Sequence, residues 1–232
     1  MTNLVQDRLE VQKMDNKAGI KILPIQQKVI AYTSSLMLSE FFAQAPALAD
    51  IIRHRYQEVR IPLEEQTFFI DYPDPLNFVA VIHEESPDTV VTLPILMRVA
   101  HSSPRFTLRI LRDTDDLSLI AALVDEFDLN NDLVEIDLPL LLIFDEEWNY
   151  QGHWGPHPQA AEPYLDSWFE QHQEYVSLAE DETLAGHDQY LALLDQLTHE
   201  MRVWYNSGLN GACAQEIREL LASFVEEVEA EE

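Results

Sequence analysis

The chain has 232 residues and a mass of 26.8 kDa. Its 47% hydrophobic and 24% charged residues suit one decorated domain or two small ones, and argue against intrinsic disorder of the whole chain. With 42 Asp and Glu against 14 Lys and Arg, the net charge of -28 excludes a bulk attraction for nucleic acid or anionic membranes. The single cysteine, Cys213, excludes an intrachain disulfide and a multi-cysteine metal site. The first ten residues lack the basic-then-apolar pattern of a signal peptide, and no apolar run is long enough to span a membrane. The default expectation is a soluble, cytoplasmic protein.

The charge is unevenly placed. Residues 1–112 carry 13 acids and 12 bases, whereas residues 113–232 carry 29 acids and only Arg202 and Arg218 as bases. Two readings stand: solvated acidic helix faces that keep the chain soluble, or, more sharply, an acidic face that docks a basic partner or a salt-adapted surface.

In chain order, residues 1–24 read as irregular or weakly helical, and 25–44 as one helix from the spacing of their apolar residues. Pro46 opens a second helix to about residue 59, and Asp71–Pro75 is turn chemistry. Phe78–Ile82 is apolar on both faces, as in a buried central strand. Ser86 then suits an N-cap, Pro87 the first helical position and Asp88 the helix dipole, for a helix of 87–101 with Pro94 inside it. An internal proline costs about 3 kcal/mol or a kink, so a packing need must outweigh it.

Phe106–Leu111 alternates as a second strand, and Asp113–Asp116 should cap a helix to about Phe127. Leu140–Phe144 is a third, buried strand. A turn at Asp145–Asn149 leads into a hairpin partner at Tyr150–Trp154. Helices are expected at 160–176, 187–206 and 212–229, the last two separated by a Gly208–Gly211 turn. A strand-helix-strand unit followed by a hairpin implies a mixed sheet with helices on both faces.

Several chemistries can be weighed residue by residue. His153 and His157 are separated by Gly155-Pro156, so they do not share a helix face as zinc-binding pairs do. Asp128, Asn130 and Asp132 mimic part of a calcium loop, but Leu133 and Pro139 stand where glycine and the bidentate glutamate are needed. Ser86 lacks a Gly-x-Ser-x-Gly setting. His83-Glu84-Glu85 fits either acid-base work or an exposed loop edge. Cys213 lies among small neighbours at the start of the last helix and fits a packed thiol or a partly exposed one. No cofactor and no metal site is expected.

From Asn77 to about Val176 the order of features resembles the thioredoxin family. A buried strand leads to a loop that opens a helix at Ser86–Thr89, where the family places Cys-x-x-Cys, with Pro94 five residues beyond. Leu138-Pro139 before Leu140–Phe144 is similar to the family's cis-proline segment. Arg109-Ile110-Leu111-Arg112, Trp154-Gly155-Pro156 and Trp204-Tyr205 resemble a bacterial thioredoxin-like branch whose members carry Trp-Cys-Gly-Asp.

The resemblance implies an α/β, thioredoxin-like mixed sheet flanked by helices. Residues 1–75 would be an N-terminal helical extension, 76–178 the core, and 179–232 a C-terminal helical extension packed on it. It also implies a groove at Ser86, Pro87, Thr89, Leu138 and Pro139, with a cis Leu138-Pro139 bond lying against Ser86-Pro87, able to receive an extended peptide.

The motif itself reads Ser-Pro-Asp-Thr here. Disulfide exchange needs a thiolate and a resolving thiol, and neither serine nor threonine can form a disulfide. The leading expectation is a redox-inactive module that binds a protein or peptide partner, possibly basic, with no nucleic acid, no membrane and no catalytic residues. The alternative is a thiol-dependent oxidoreductase or transferase that uses Cys213 or an external thiol.

Overall fold

The computed structural model describes residues 23–115, 118–123, 137–179 and 183–231. Helix α1 (Ile25–Ser34) precedes a two-residue strand β1 (Leu36–Met37), α2 (Leu38–Gln44), α3 (Pro46–Glu58) and α4 (Leu63–Asp71). Strand β2 (Leu76–Ile82), α5 (Pro87–Ser102), β3 (Phe106–Arg112) and α6 (Ser118–Leu123) follow. Then come β4 (Leu140–Phe144), β5 (Tyr150–Trp154), a 3-10 turn (Gln159–Ala161), α7 (Glu162–Gln171) and α8 (Glu174–Ala179). Helices α9 (Leu184–Trp204) and α10 (Asn210–Glu231) form the C-terminal hairpin.

The five strands form one mixed sheet in the order β1-β3-β2-β4-β5. β2 and β3 are parallel, as a strand-helix-strand crossover requires, and the β1-β3, β2-β4 and β4-β5 pairs are antiparallel. Side chains alternate between two cores. Phe78, Ala80 and Ile82 join Leu108, Ile110, Leu141 and Ile143 on the face covered by α3, α4, α5, α9 and α10. Val79 and Val81 join Leu111, Leu142 and Phe144 on the face covered by α1 and α6. Every residue of β2 except Asn77 is buried, which explains the unbroken apolar run.

A bulge gives β5 its two-sidedness. Ile143 pairs with Gly152 and Phe144 with Tyr150, so Gln151 is an extra residue. Tyr150 thereby falls in the core under α1 and α6, while Trp154 falls in the other. Strict alternation would have placed both on one face.

Helix α5 is apolar nearly all round, with eleven of its sixteen residues buried. It runs through Pro94, which is itself buried, and α3, α4, α9 and α10 all pack on it. Packing on every side of α5 is what outweighs the backbone bond that Pro94 cannot make.

Several expectations need correction. The single helix over 25–44 is broken at Ser35. Arg109 on β3 is the cause: its guanidinium donates to the carbonyls of Tyr32 and Ser35 and to the Ser35 hydroxyl, and lies 4.6 Å over the Tyr32 ring. These carbonyls would otherwise bond within a continuing helix. The expected acidic helix over 160–176 is split into the 3-10 turn, α7 and α8, with the α7 end closed by His172 N–H donating to the Trp168 carbonyl. Helix α4 was not expected, although Pro62 ahead of Glu64-Glu65 is a start signal. Asp115 turns back to accept from Arg112 N–H and Nε. The described part of that helix is Ser118–Leu123, and residues 124–136, including Asp128, Asn130 and Asp132, lie outside the described residues.

The hairpin α9-α10 is fastened to α3 by an ion cluster. Arg55, 2% exposed, donates to Glu58 at 2.6 Å and to Asn206, and Arg202 donates two bonds to the same Glu58. The two guanidinium groups hold the Glu58 carboxyl near 2. Truncating Glu58 leaves Arg55 buried without its anion, which costs about 3 kcal/mol or more. Glu58→Ala is therefore expected to lower the urea midpoint by that equivalent, and an unchanged midpoint would show the cluster to be energetically neutral.

Candidate functional site

Strand β2 ends at Ile82, and the loop His83–Ser86 carries the chain to the N-terminus of α5. The loop is tied to the end of β3: His83 Nδ1 is 2.6 Å from Asp113 Oδ2, and Arg112 reaches Glu84 at 3.6 Å. His83-Glu84-Glu85 is thus a loop edge held by the His83–Asp113 and Arg112–Glu84 contacts. Ser86 occupies the N-cap position with extended backbone angles, but its hydroxyl accepts no capping bond, contrary to expectation. Its carbonyl accepts the first helical bond, from Val90 N–H, at 3.2 Å.

Ser86 is half-buried, while Pro87 is buried and Thr89 is completely so. Across the sheet, Val81 pairs with Leu140, which brings Leu138-Pro139 to the same end of the sheet as the β2–α5 loop. The Leu138-Pro139 peptide is cis, as expected; Pro139 is buried and Leu138 half-buried. Of the five residues singled out from the sequence, Ser86 and Leu138 are half-buried, and Pro87, Thr89 and Pro139 are buried.

Two features of this end of the sheet were not foreseen. A second cis bond joins Gly155 to Pro156. Gly155 has φ +136°, and a Cβ there would lie 2.3 Å from the Pro139 carbonyl oxygen, so only glycine allows β5 to end against the cis-proline segment. The chain then delivers His157 to 3.4 Å from Asp88, in the first turn of α5. The two histidines separated by Gly155-Pro156 consequently serve different ends: His157 faces Asp88, whereas His153 hydrogen-bonds Tyr150 at 2.7 Å.

The C-terminal hairpin closes the site from the inside. Glu216 on α10 accepts from Trp154 Nε1 at 2.8 Å and from Gln159 N–H at 2.9 Å. Further along α10, Phe224 packs against Gly152, where a Cβ would come within 3.0 Å of the ring. Burial raises the Glu216 carboxyl above its usual range. Cys213, one turn earlier, is 0% exposed. Burial, with Glu216 and Asp88 nearby, pushes its thiol well up. Neighbouring Tyr205 is also raised, first by burial and then by Cys213 and Asp88. A reactive cysteine needs exposure and an electropositive setting. Cys213 has neither, so of its two sequence readings the packed thiol is the one realised.

Two outcomes test this geometry. Gly155→Ala should lower unfolding stability by about 2–4 kcal/mol, because the new methyl meets backbone and the φ is strained; a variant as stable as the parent would refute the close approach. His153 is held neutral by burial, with its pKa lowered to about 4. The unfolded chain binds a proton below about 6.5 and the folded chain does not. Stability from this group is therefore present above 6.5 and is lost as pH falls toward 4. Raised Glu216 acts in the opposite sense over part of that range, so the comparison is with His153→Gln, whose stability should depend less steeply on pH over the interval. Parallel pH curves for the two proteins would sink the assignment.

A family profile described as thioredoxin matches residues 36–169. Among solved structures, the chain is similar to a Pseudomonas aeruginosa protein of unknown function, with 15% identity, a TM-score of 0.54, and 83% of this chain and 95% of that chain covered. It is also similar to an HIV epitope-scaffold, with 14% identity, a TM-score of 0.56, and 84% and 97% covered. At these identities the likeness concerns the fold. No curated protein matches the chain. Among the described residues, no helix is long and apolar enough to cross a membrane. The profile match takes in all five strands and more than half of the sequence, and on that basis the chain belongs to the thioredoxin family.

Proposed function

We propose that the chain is a redox-inactive thioredoxin-like protein of the cytoplasm that binds an extended protein or peptide segment at the end of the sheet formed by Ser86 and Leu138. The observation that carries the reading is the replacement of both motif thiols by Ser86 and Thr89 at the head of α5 while the one cysteine is sealed inside. Exchange chemistry requires a thiolate that can reach a disulfide, and the described site offers none.

Binding remains available because an extended segment pairs through its main chain and needs no thiol. Pro87 and Pro139 stiffen the surface, and Leu138 supplies apolar contact. Glu84, Glu85 and Asp88 favour a neutral or basic segment over an anion. The acidic second half of the chain acts in the same direction and would speed encounter with a basic partner.

The test is an insulin-disulfide reduction assay with a recycling reductant. The parent chain is expected to give only the reductant background, and turnover that survives Cys213→Ala would overturn the reading. In the same assay series, Ser86→Cys combined with Thr89→Cys should form a disulfide under mild oxidation; persistence of two free thiols would show that these positions are not the family's pair.

A further inference from the structure

Between α7 and α9 lies a groove of about 370 Å³ lined by Pro163, Tyr164, Ser167, Trp168, Gln171, Glu200 and Trp204. The α7 residues fall on one face of that helix, and Glu200 and Trp204, four apart, share one face of α9. Tyr164 and Trp204 meet across the groove with ring centroids 5.5 Å apart, and Tyr164 is 47% exposed. Three aromatic side chains and one carboxylate thus share a single concave surface that contains no cation.

Trp168 is 2% exposed, and among the described residues its indole N–H has no acceptor. Glu200 Oε1 accepts from Gln196 at 2.9 Å, and the residue is half-buried. The surrounding chain has no cation to spare. Arg202 and Arg218, the only Lys or Arg in residues 113–232, are engaged with Glu58 and with Glu64. In contrast, the arginines of a second, larger cavity beneath α3 are occupied: Arg60 and Arg98 donate to carbonyls at the C-terminal end of that helix.

We propose that this groove receives an arginine side chain of a partner peptide. The guanidinium lies against the Trp204 and Tyr164 rings and donates to Glu200. Guanidinium suits the site because it is planar, weakly hydrated and stacks on aromatic faces while keeping donors for a carboxylate. The groove shares no residue with the Ser86–Leu138 surface, so this inference stands or falls independently of the function proposed there.

The experiment is a titration of the ¹⁵N-labelled full chain, followed by the four indole N–H signals of Trp148, Trp154, Trp168 and Trp204. The probes are the capped tripeptide Gly-Arg-Gly and its citrulline counterpart, which keeps the shape without the charge. The arginine peptide is expected to move the Trp168 and Trp204 signals with a dissociation constant of about 1 mM, as befits one anchored side chain. Trp148 and Trp154 should stay in place, and the citrulline peptide should bind at least about tenfold more weakly. Glu200→Gln should weaken the arginine peptide about tenfold while leaving the Trp148 and Trp154 signals at their parent positions, which shows that the fold is intact. Equal response to citrulline, unchanged affinity in Glu200→Gln, or no movement of Trp168 and Trp204 with the arginine peptide at about 10 mM would each overturn the proposal. A lysine peptide that binds more tightly than the arginine peptide would overturn the guanidinium assignment.

Discussion

Strand β2 is paired on both edges and covered on both faces, and the positions of the other elements follow from that burial. Its register fixes β3 residue by residue on one side and β4 on the other. Because its side chains point alternately into two cores, a one-residue slip would exchange Phe78 and Ile82 for Val79 and Val81 in packing of quite different volume. Full burial of such side chains contributes about 1.5–3 kcal/mol each. The end of β2 is therefore a fixed point. The loop to α5, the start of that helix and the cis-proline segment opposite are all placed relative to it.

The C-terminal hairpin closes on that fixed point. Glu216 holds the end of β5, Phe224 fits over Gly152, and Cys213 and Tyr205 fill the space behind the first turn of α5. The ion cluster of Arg55, Glu58 and Arg202 holds the C-terminal end of α9 against α3. A reactive thiol at the head of α5 would need a polarised, accessible setting; here the interior is packed and its titratable groups are pushed toward their neutral forms. The absence of cysteine at Ser86 and Thr89 and the closure of the interior are mutually consistent.

The central elements were legible because their signals are local. The apolar run of β2, the proline after Ser86, the alternation of β3 and the Leu-Pro before β4 each follow from a few neighbouring residues. The missed features depend on contacts distant in sequence. Ser35 ends α1 because Arg109, more than 70 residues later, takes its carbonyl, and no propensity in the segment itself reveals that. Gly155 was visible as part of Trp-Gly-Pro, but its reason, the carbonyl of Pro139 where a Cβ would sit, exists only after β4 and β5 have paired. The candidate surface was half-legible for the same cause. The sequence places Ser86 and Pro139 in order, whereas only the fold shows that Pro87, Thr89 and Pro139 are buried while Ser86 and Leu138 keep some exposure.

The charge split acquires a physical shape once the arginines are located. An acidic half with free arginines could neutralise itself locally, but both of its arginines are spent on joining that half to helices α3 and α4. The excess negative charge is left on outer faces such as those of α7 and α9, where the aromatic groove lies. Long-range attraction in such a field is screened within about 8 Å at physiological salt, so charge alone would hold a basic segment only loosely. The aromatic rings and the Glu200 carboxylate add the short-range contact that a diffuse field lacks. Negative charge without such a groove would serve solubility; the two together are the basis of the proposal that a basic chain is first attracted and then seated.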